Sequence, residues 1–417
     1  MLKVRLSTPP ITDLVLRWLH TKTGPTRRDA VLAALKKGDE NWAEHLAGFT
    51  GVEAVKGGRD LRGMDLKGVD LRKASLSGAS LQLADLSGAN LTKCSMVRCD
   101  LADAQCENTK FDAADLSGAN FRGAELRGAS FKKASLSSCR FTDADLSGAV
   151  LDGAEADGAD FQGAMLGGTS MQKIQADFAV MSRTRGEGVL AAGASFKKTM
   201  WSKAVLLGID LTGADLTEAN LVFTNLTGAK LDKAKLCNAR LRKAILERAS
   251  LVGADCKAIN LQEAQIDAAN MDDADLEGAD FTETLGSARA SFQGANMRGA
   301  DLRGARLPTA NLEGADLRGA NLSDALLSRA DLSGASLEDT NLARTDLHRA
   351  NLSKCDFSGA LIDQTNLREC ILTEANMAKA QYIVAHFALA QVDRARLDDE
   401  MREAAALAHG DPVYTDD

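Results

Sequence analysis

The stretch ADLSGANL, residues 84–91, returns as ADLSGANF at residues 114–121. Within the first copy the large apolar residues, Leu86 and Leu91, are five positions apart. Stepping along the chain in fives keeps finding such a residue, usually with alanine two positions before it. The sequence is therefore organised as a five-residue repeat. Two runs of repeat centres, each with a constant spacing of five, cover residues 61–281 and 292–397.

A period of five excludes the two regular secondary structures. On an α-helix five residues rotate about 140° past one full turn, so the large residues would be spread over every face. On a β-strand, where the side-chain period is 2, an odd step sends successive leucines to opposite faces. One continuous core results only if each repeat is a short extended piece followed by a turn. Asp, Asn, Ser and Gly, which flank the centres, suit such turns, and the pattern predicts a solenoid.

The recurring unit A(D/N)LxG, with ADL at residues 214–216 and 315–317, resembles the motif of the pentapeptide-repeat family. The resemblance covers about residues 59–397. It implies a mainly β fold, a right-handed, four-sided parallel β-helix with four pentapeptides per coil. To this the sequence adds a helical N-terminal region and a short C-terminal helix.

Phenylalanine spacing supports four sides independently. Phenylalanines occupy alternate repeats, and on a four-sided coil alternate repeats lie on opposite sides, which would stack residues twenty apart. The predicted core residues are Leu86, Leu91, Phe121, Phe141, Phe161, Leu216 and Leu317.

Changes in the repeat define the expected domains. Residues 1–58 lack it and are interpreted as a helical region that either caps the first coil or docks a partner. The β-helix follows, with an irregular loop at about residues 174–194 and one inserted residue that shifts the register. The expected segments are 1–58, 59–283, 284–291, 292–397 and 398–417.

Composition argues against catalysis and metal binding. The chain has 417 residues and a net charge of −8, and its five histidines show no ligand spacing. Seven of its eight cysteines fall at inward repeat positions, where cysteine is a packing residue, and only Cys237 should face outward. We expect no cofactor, no catalytic residue, no membrane span and no signal peptide. Free buried thiols favour a cytoplasmic location.

Three surface features are candidates for binding. An acidic run without a basic residue lies beside the insertion and could engage a basic groove. The segment SRTRGEG, residues 182–188, is predicted to project as a loop carrying Arg183, Arg185 and Glu187. The C-terminal helix carries a small apolar face that could pair two chains: Ala404, Ala405, Leu407 and Ala408. The acidic run comprises Glu263, Asp267, Asp272, Asp273, Asp275, Glu277, Asp280 and Glu283.

Two functions are compatible with these features. The first is a non-catalytic scaffold that binds other proteins through its sides and ends, as an accessory to a larger assembly such as a secretion system. The second is implied by the resemblance: a DNA mimic that binds DNA gyrase or another topoisomerase and protects it from inhibitors, giving antibiotic resistance or self-immunity. The nearly balanced charge favours the first, since duplex DNA carries one charge per roughly 1.7 Å. Direct nucleic-acid binding is not expected.

Overall fold

The computed structural model describes residues 11–49, 51–52, 55–286 and 289–409. Contacts divide the chain between Val205 and Leu206 into two compact units. The first unit opens with α1, Ile11–His20, and α2, Gly24–Lys37, followed by short 3-10 helices at Trp42–Leu46 and Lys56–Gly58. Gly38 ends α2 in the left-handed conformation, with φ of 75°.

Most of the described pentapeptides end in the same tight turn. At Leu86 the carbonyl accepts the amide of Ala89 at 2.8 Å, and Gly88, the third residue of this four-residue turn, has φ of 68°. A positive φ at the third residue of a turn whose second residue is ordinary identifies type II, which favours glycine there. Lys and Asp also occupy this position, for example Lys73 and Asp103. The turn thus sets a sharp corner every fifth residue.

Stacked coils form parallel ladders inside each unit. Partners lie twenty residues apart, as in Asp65 with Asp85 and Asp85 with Gln105. Each coil therefore contains four pentapeptides, and its backbone amides bond to the next coil, as Leu86 does to the Gln105 carbonyl at 2.7 Å. The repeat region is a parallel β-helix.

The interior is filled by the repeat centres and the alanines before them. Rings twenty residues apart stack, with centroids 4.8 Å apart for Phe111 and Phe131 and 5.1 Å apart for Phe121 and Phe141. Phe161 continues the second stack at 4.9 Å from Phe141. Also fully buried are Leu86, Leu91, Leu216 and Leu317.

The structure contradicts the projecting loop expected at residues 182–188. Residues 185–187 form strand β1, Arg185–Glu187, and the chain keeps its place in the ladder, pairing Met165 with Arg185. Gly186 stands at a repeat centre, and Val189 replaces the usual alanine. A Cβ built on Gly186 would meet Val189 Cγ2 at 2.8 Å, so the larger valine fills the space that the glycine leaves. The sequence motif is therefore lost around Gly186, but the backbone remains part of the coil.

One residue is inserted in the second unit between Leu285 and Ser291. Bridges before it join residues twenty apart, such as Gln265 and Leu285, whereas Asn270 pairs with Ser291, twenty-one apart. One coil later the paired residues are again twenty apart, as Ser291 and Asn311 show. The ladder therefore continues on both sides of the insertion, while residues 287–288 lie outside the described part of the chain.

The remaining strands are β2, Val205–Leu207, β3, Leu361–Asn366, and β4, Gln381–His386, of which β3 and β4 pair in parallel. The chain then forms α3, Asp399–His409. Met401 and Ala405 of α3 are buried.

The N-terminal helices cover the open edge of the first coil. In later coils each edge carbonyl accepts an amide from the coil before, but the first coil has no such neighbour. Side chains supply donors instead: Trp18 Nε1 to the Arg62 carbonyl at 2.8 Å and Trp42 Nε1 to the Ser75 carbonyl at 2.9 Å. Arg28 Nε donates to the Asp65 carbonyl at 3.1 Å. These contacts are those of a cap, because an uncovered ladder would invite association with other strands.

Candidate protein-binding surface

A strip of exposed apolar side chains runs along one side of the second unit. The position before a repeat centre normally holds Asp, Asn or Ser and faces outward. Ile245, Leu285 and Leu326 occupy this position in a single ladder, in which they alternate with Gln265 and Arg306. At about 4.8 Å per coil, neighbouring members of the three lie roughly 9.6 Å apart. We call Phe223, Ile245, Leu285, Pro308 and Leu326 the apolar strip.

Phe223 gives the strip an aromatic end. It occupies a left-handed corner with φ of 60°, which directs the ring outward, and 51% of its surface is exposed. Leu285 and Leu326 are 40% and 41% exposed. Phe223, Ile245 and Leu285 line one shallow depression. Leu285, Pro308 and Leu326 line the adjoining one. The strip is therefore a row of exposed apolar side chains, interrupted by Gln265 and Arg306, on a backbone held by hydrogen bonds.

Charged groups border the strip. Lys243 Nζ lies 5.8 Å from the centroid of the Phe223 ring and 3.1 Å from Glu263 Oε2. Arg242 donates to Glu263 Oε1 at 2.8 Å. The hydrogen bonds from Arg242 and Lys243 hold the pKa of the Glu263 carboxyl below its usual value. The border near Phe223 is thus an ordered charge network.

The predicted acidic patch does not lie on one face. Glu263 and Glu283 are twenty residues apart and occupy the same corner in neighbouring coils, so the acids between them encircle one full coil. A basic residue of the preceding coil also compensates two of them: Lys257 Nζ lies 3.2 Å from Asp275 and 3.6 Å from Glu277. The others distributed around the coil are Asp267, Asp272, Asp273 and Asp280.

The predicted dimer face on α3 is partly buried within its own chain and partly exposed to solvent. Ala405 is buried within its own chain, whereas Leu407 is 79% exposed and Ala404 is half-buried. The side chain of Ala408 lies outside the described residues. Because Ala405 already packs inward, it is unavailable to a second copy, and pairing through α3 stays a prediction.

The loop candidates are exposed but lie on the ladder. Arg183 occupies a left-handed corner with φ of 61°, and Arg185 and Glu187 are the exposed residues on either side of the half-buried Gly186 in β1. Sequence reasoning missed the apolar strip. The signal was present, because an apolar residue directly before a repeat centre breaks the motif at an outward position, and three such residues recur in one ladder.

The described residues contain neither a metal-binding cluster nor a helix able to cross a membrane. No group of three or more His, Cys, Asp or Glu side chains among them is arranged to hold a metal ion. None of the described helices combines the length and apolar character needed to span a bilayer.

Comparison with known families identifies the repeat. The profile of the family described as Pentapeptide repeats (8 copies) matches more than half of the chain. The chain belongs to the pentapeptide repeat family, and its repeat region is a right-handed β-helix. The matched residues are 60–92, 99–137, 134–172, 192–228, 219–255, 259–284, 288–324, 320–362 and 350–381.

Solved structures of pentapeptide repeat proteins are similar to parts of the chain. HetL, involved in heterocyst differentiation regulation in the cyanobacterium Nostoc sp. strain PCC 7120, is 29% identical over 53% of this chain and 88% of its own, with a TM-score of 0.22. A form of QnrB1, a plasmid-mediated fluoroquinolone resistance protein, is 17% identical over 55% of this chain and 100% of its own, with a TM-score of 0.29. Rfr23 from the cyanobacterium Cyanothece 51142 is 20% identical over 39% and 85%, with a TM-score of 0.11. No curated protein matched.

Proposed function

We propose that this protein is a non-catalytic scaffold that binds other proteins through the outer surface of its β-helix, and that the apolar strip is one binding surface. The observation that carries the proposal is the exposure of Phe223, Leu285 and Leu326 along one side of a hydrogen-bonded ladder. We also infer a four-sided coil, since twenty residues per coil and a turn every fifth residue give four corners.

The physical case rests on preorganisation. Binding normally costs free energy for ordering loops and side chains at an interface, and a ladder fixed by backbone hydrogen bonds has already met the backbone part of that cost. Aromatic residues are typical anchors of protein interfaces. Phe223, bordered by Lys243 and Glu263, has this character of an apolar anchor with a polar rim.

Charge favours a scaffold over a topoisomerase-binding DNA mimic. A mimic requires a dense, one-sided negative surface, because duplex DNA presents one charge per roughly 1.7 Å. Here the acids from Glu263 to Glu283 encircle a coil, and Lys257, Arg242 and Lys243 pair with several of them. Binding to a topoisomerase as a DNA mimic is the competing proposal, and a supercoiling assay tests it.

A capture experiment tests the strip. The full-length protein, immobilised on resin, is incubated with lysate of its own source cells, and retained proteins are quantified by mass spectrometry. We expect a defined set to be retained by wild type, lost by the double variant Phe223→Ser and Leu285→Ser, and kept by the control Ile371→Ser, which removes an exposed apolar residue from another ladder. Equal retention by wild type and the double variant would reject the strip as a binding surface.

A supercoiling assay tests the competing proposal. Purified DNA gyrase is assayed with and without a fluoroquinolone, in the presence and absence of the protein. A scaffold should leave both supercoiling and drug sensitivity unchanged. Protection of gyrase would favour the DNA mimic instead.

A further inference from the structure

Four lysines of the first unit share one edge of the β-helix. Lys73, Lys93, Lys133 and Lys173 are separated by twenty, forty and forty residues, so they occupy the same corner in successive or alternate coils. All four adopt the left-handed conformation, with φ between 55° and 64°. At about 4.8 Å per coil the intervals are roughly 4.8, 9.6 and 9.6 Å. We call this row the lysine edge.

The ammonium groups of the lysine edge are available to a ligand. All four side chains are exposed, and none has a carboxylate within ion-pair distance among the described residues. The two lysines at the far end have small residues beside them in the next coil. A Cβ built on Gly153 would lie 3.8 Å from Lys133 Cγ, and one on Gly193 would lie 3.6 Å from Lys173 Cγ.

Between residues 63 and 178, the lysines at left-handed corners all lie on this edge. From residue 63 to residue 178 the equivalent left-handed positions on the other three edges hold no lysine, and one of those edges carries Asp103 and Asp143. Residues 63–178 thus carry a straight row of lysines on one edge and two acidic corners on another. Such separation of charge is the basis of electrostatic complementarity with a partner.

We propose that the lysine edge binds an acidic, proline-rich protein segment in the polyproline II conformation. That conformation has three residues per turn and a rise of about 3.1 Å, so a carboxylate at every third residue forms a straight row with intervals of roughly 9.3 Å. This interval matches the two-coil spacing of Lys93, Lys133 and Lys173. The proposal specifies a partner class for the scaffold function and rests on it, but uses a surface distinct from the apolar strip.

A straight convex edge suits this partner better than nucleic acid. The phosphates of a duplex wind around its axis, so a straight row of lysines would follow them only briefly. Single-stranded nucleic acid is usually held by stacking on aromatic side chains, and the lysine-edge positions between residues 73 and 173 hold only Lys, Ala and Gly. An extended acidic segment needs neither a groove nor an aromatic platform.

Binding of a defined peptide tests the proposal. The probe is a fluorescein-labelled peptide of five Glu-Pro-Pro repeats, and the comparison peptide has the same composition with its five glutamates together. Fluorescence anisotropy with the full-length protein at low salt should show tighter binding of the periodic peptide, weakening as salt is added. Replacing all four lysines with glycine should weaken binding about tenfold. Glycine is the residue best suited to φ > 0, so this variant should fold, which thermal unfolding checks.

Controls make the result decisive. Lys203→Gly removes an exposed lysine with φ of 61° from a different edge and should bind like wild type, whereas Lys133→Gly alone should bind measurably less. Unchanged binding by the quadruple variant, equal binding of the clustered peptide, or tighter binding of a 24-base-pair duplex or of phosphatidylserine vesicles would each overturn the proposal. The apolar-strip variant should bind the periodic peptide normally, so failure at one surface is distinguishable from failure at the other.

Discussion

Arg17 and Asp60 are joined by two hydrogen bonds of 2.8 Å between α1 and the first coil, and both side chains are almost completely buried. Arg62 donates to the same carboxylate at 2.9 Å. Burial acts to raise the pKa of Asp60, but hydrogen bonds from Arg17 and Arg62 outweigh it and keep the pKa below its usual value. The carboxylate is therefore charged when the cap is docked and holds two guanidinium groups against the ladder.

Replacing Asp60 with Asn should loosen the cap. Two buried guanidinium groups would lose their counter-charge, and breaking a buried ion pair in this way typically costs about 3–5 kcal/mol. Chemical denaturation should report the loss, with faster hydrogen exchange in α1. The control Asp70→Asn breaks the exposed pair of Asp70 with Arg72 and should change little. Equal effects of the two substitutions would contradict the role assigned to Asp60.

Stability should also decline in acid through Asp60. Its pKa is lowered in the folded protein from the ordinary 3.8, so the unfolded chain binds the proton more readily. The carboxylate therefore contributes stability that is present above pH 3.8 and is lost as the pH falls through its lower, folded-state pKa. Denaturation midpoints measured against pH should show the gap between wild type and Asp60→Asn narrowing below that value. A gap independent of pH would exclude this linkage.

Gly63 offers a second, purely steric test of the cap. A Cβ built on Gly63 would meet the carbonyl carbon and oxygen of Leu14 at 2.8 Å, whereas one on Gly68 would meet nothing within 4 Å. The two glycines have nearly equal φ, 66° and 63°, so Ala brings the same backbone strain to both. Gly63→Ala should therefore displace α1 and lower the unfolding temperature well below that of Gly68→Ala. Identical temperatures would show that α1 does not press on the first coil.

The fold was predictable because one five-residue rule is repeated so often. Inward leucine, small alanine and a turn-forming residue each agree with the same coil, and this agreement across many copies leaves no competing structure. The five-residue rule does not predict how a side chain in one repeat compensates for a missing one in its neighbour. Gly186 breaks the motif in sequence, yet Val189 restores the volume in space.

Surface features were less predictable because sequence neighbours are not spatial neighbours in a coil. Residues 263–283 contain eight acidic residues and no basic residue, but every fifth residue turns a corner, so these acids are spread around all sides of the coil. Conversely, Ile245, Leu285 and Leu326 are far apart in sequence and share one ladder. Comparing residues twenty apart, and allowing for the shift of one at the insertion, would have found both the ladder of the apolar strip and the lysine edge.

Restoring the family motif at Gly186 should destabilise the protein. Leucine is the usual residue at a repeat centre, but a Cβ at this site would meet Val189 Cγ2 at 2.8 Å and the Leu166 backbone at 3.1 Å. Overpacking a filled core costs about 1–3 kcal/mol. Gly186→Leu should therefore lower the denaturation midpoint, and adding Val189→Ala should recover part of the loss. A more stable Gly186→Leu variant would show that space is available there.

Cysteine reactivity should follow burial. Cys94 is buried and donates its thiol to the Leu71 carbonyl at 2.8 Å, while Cys237 is the one cysteine only half-buried. Burial raises the pKa of Cys94 to about 12 and that of Cys237 to about 11. Maleimide labelling of the native protein, followed by mass spectrometry, should modify Cys237 first, and Cys237→Ser should abolish this early reaction.

The same thiols should weaken the fold in alkali. Unfolded cysteines ionise near pH 9.0, whereas Cys94, Cys99 and Cys139 ionise at about 12 in the folded protein. Between these values the folded state binds more protons than the unfolded state, so the free energy of unfolding should fall as the pH rises from 9 towards 12. Replacing Cys94 and Cys99 with alanine, the usual residue at their positions, should flatten this decline. An unchanged slope would mean that other groups cause the alkaline loss.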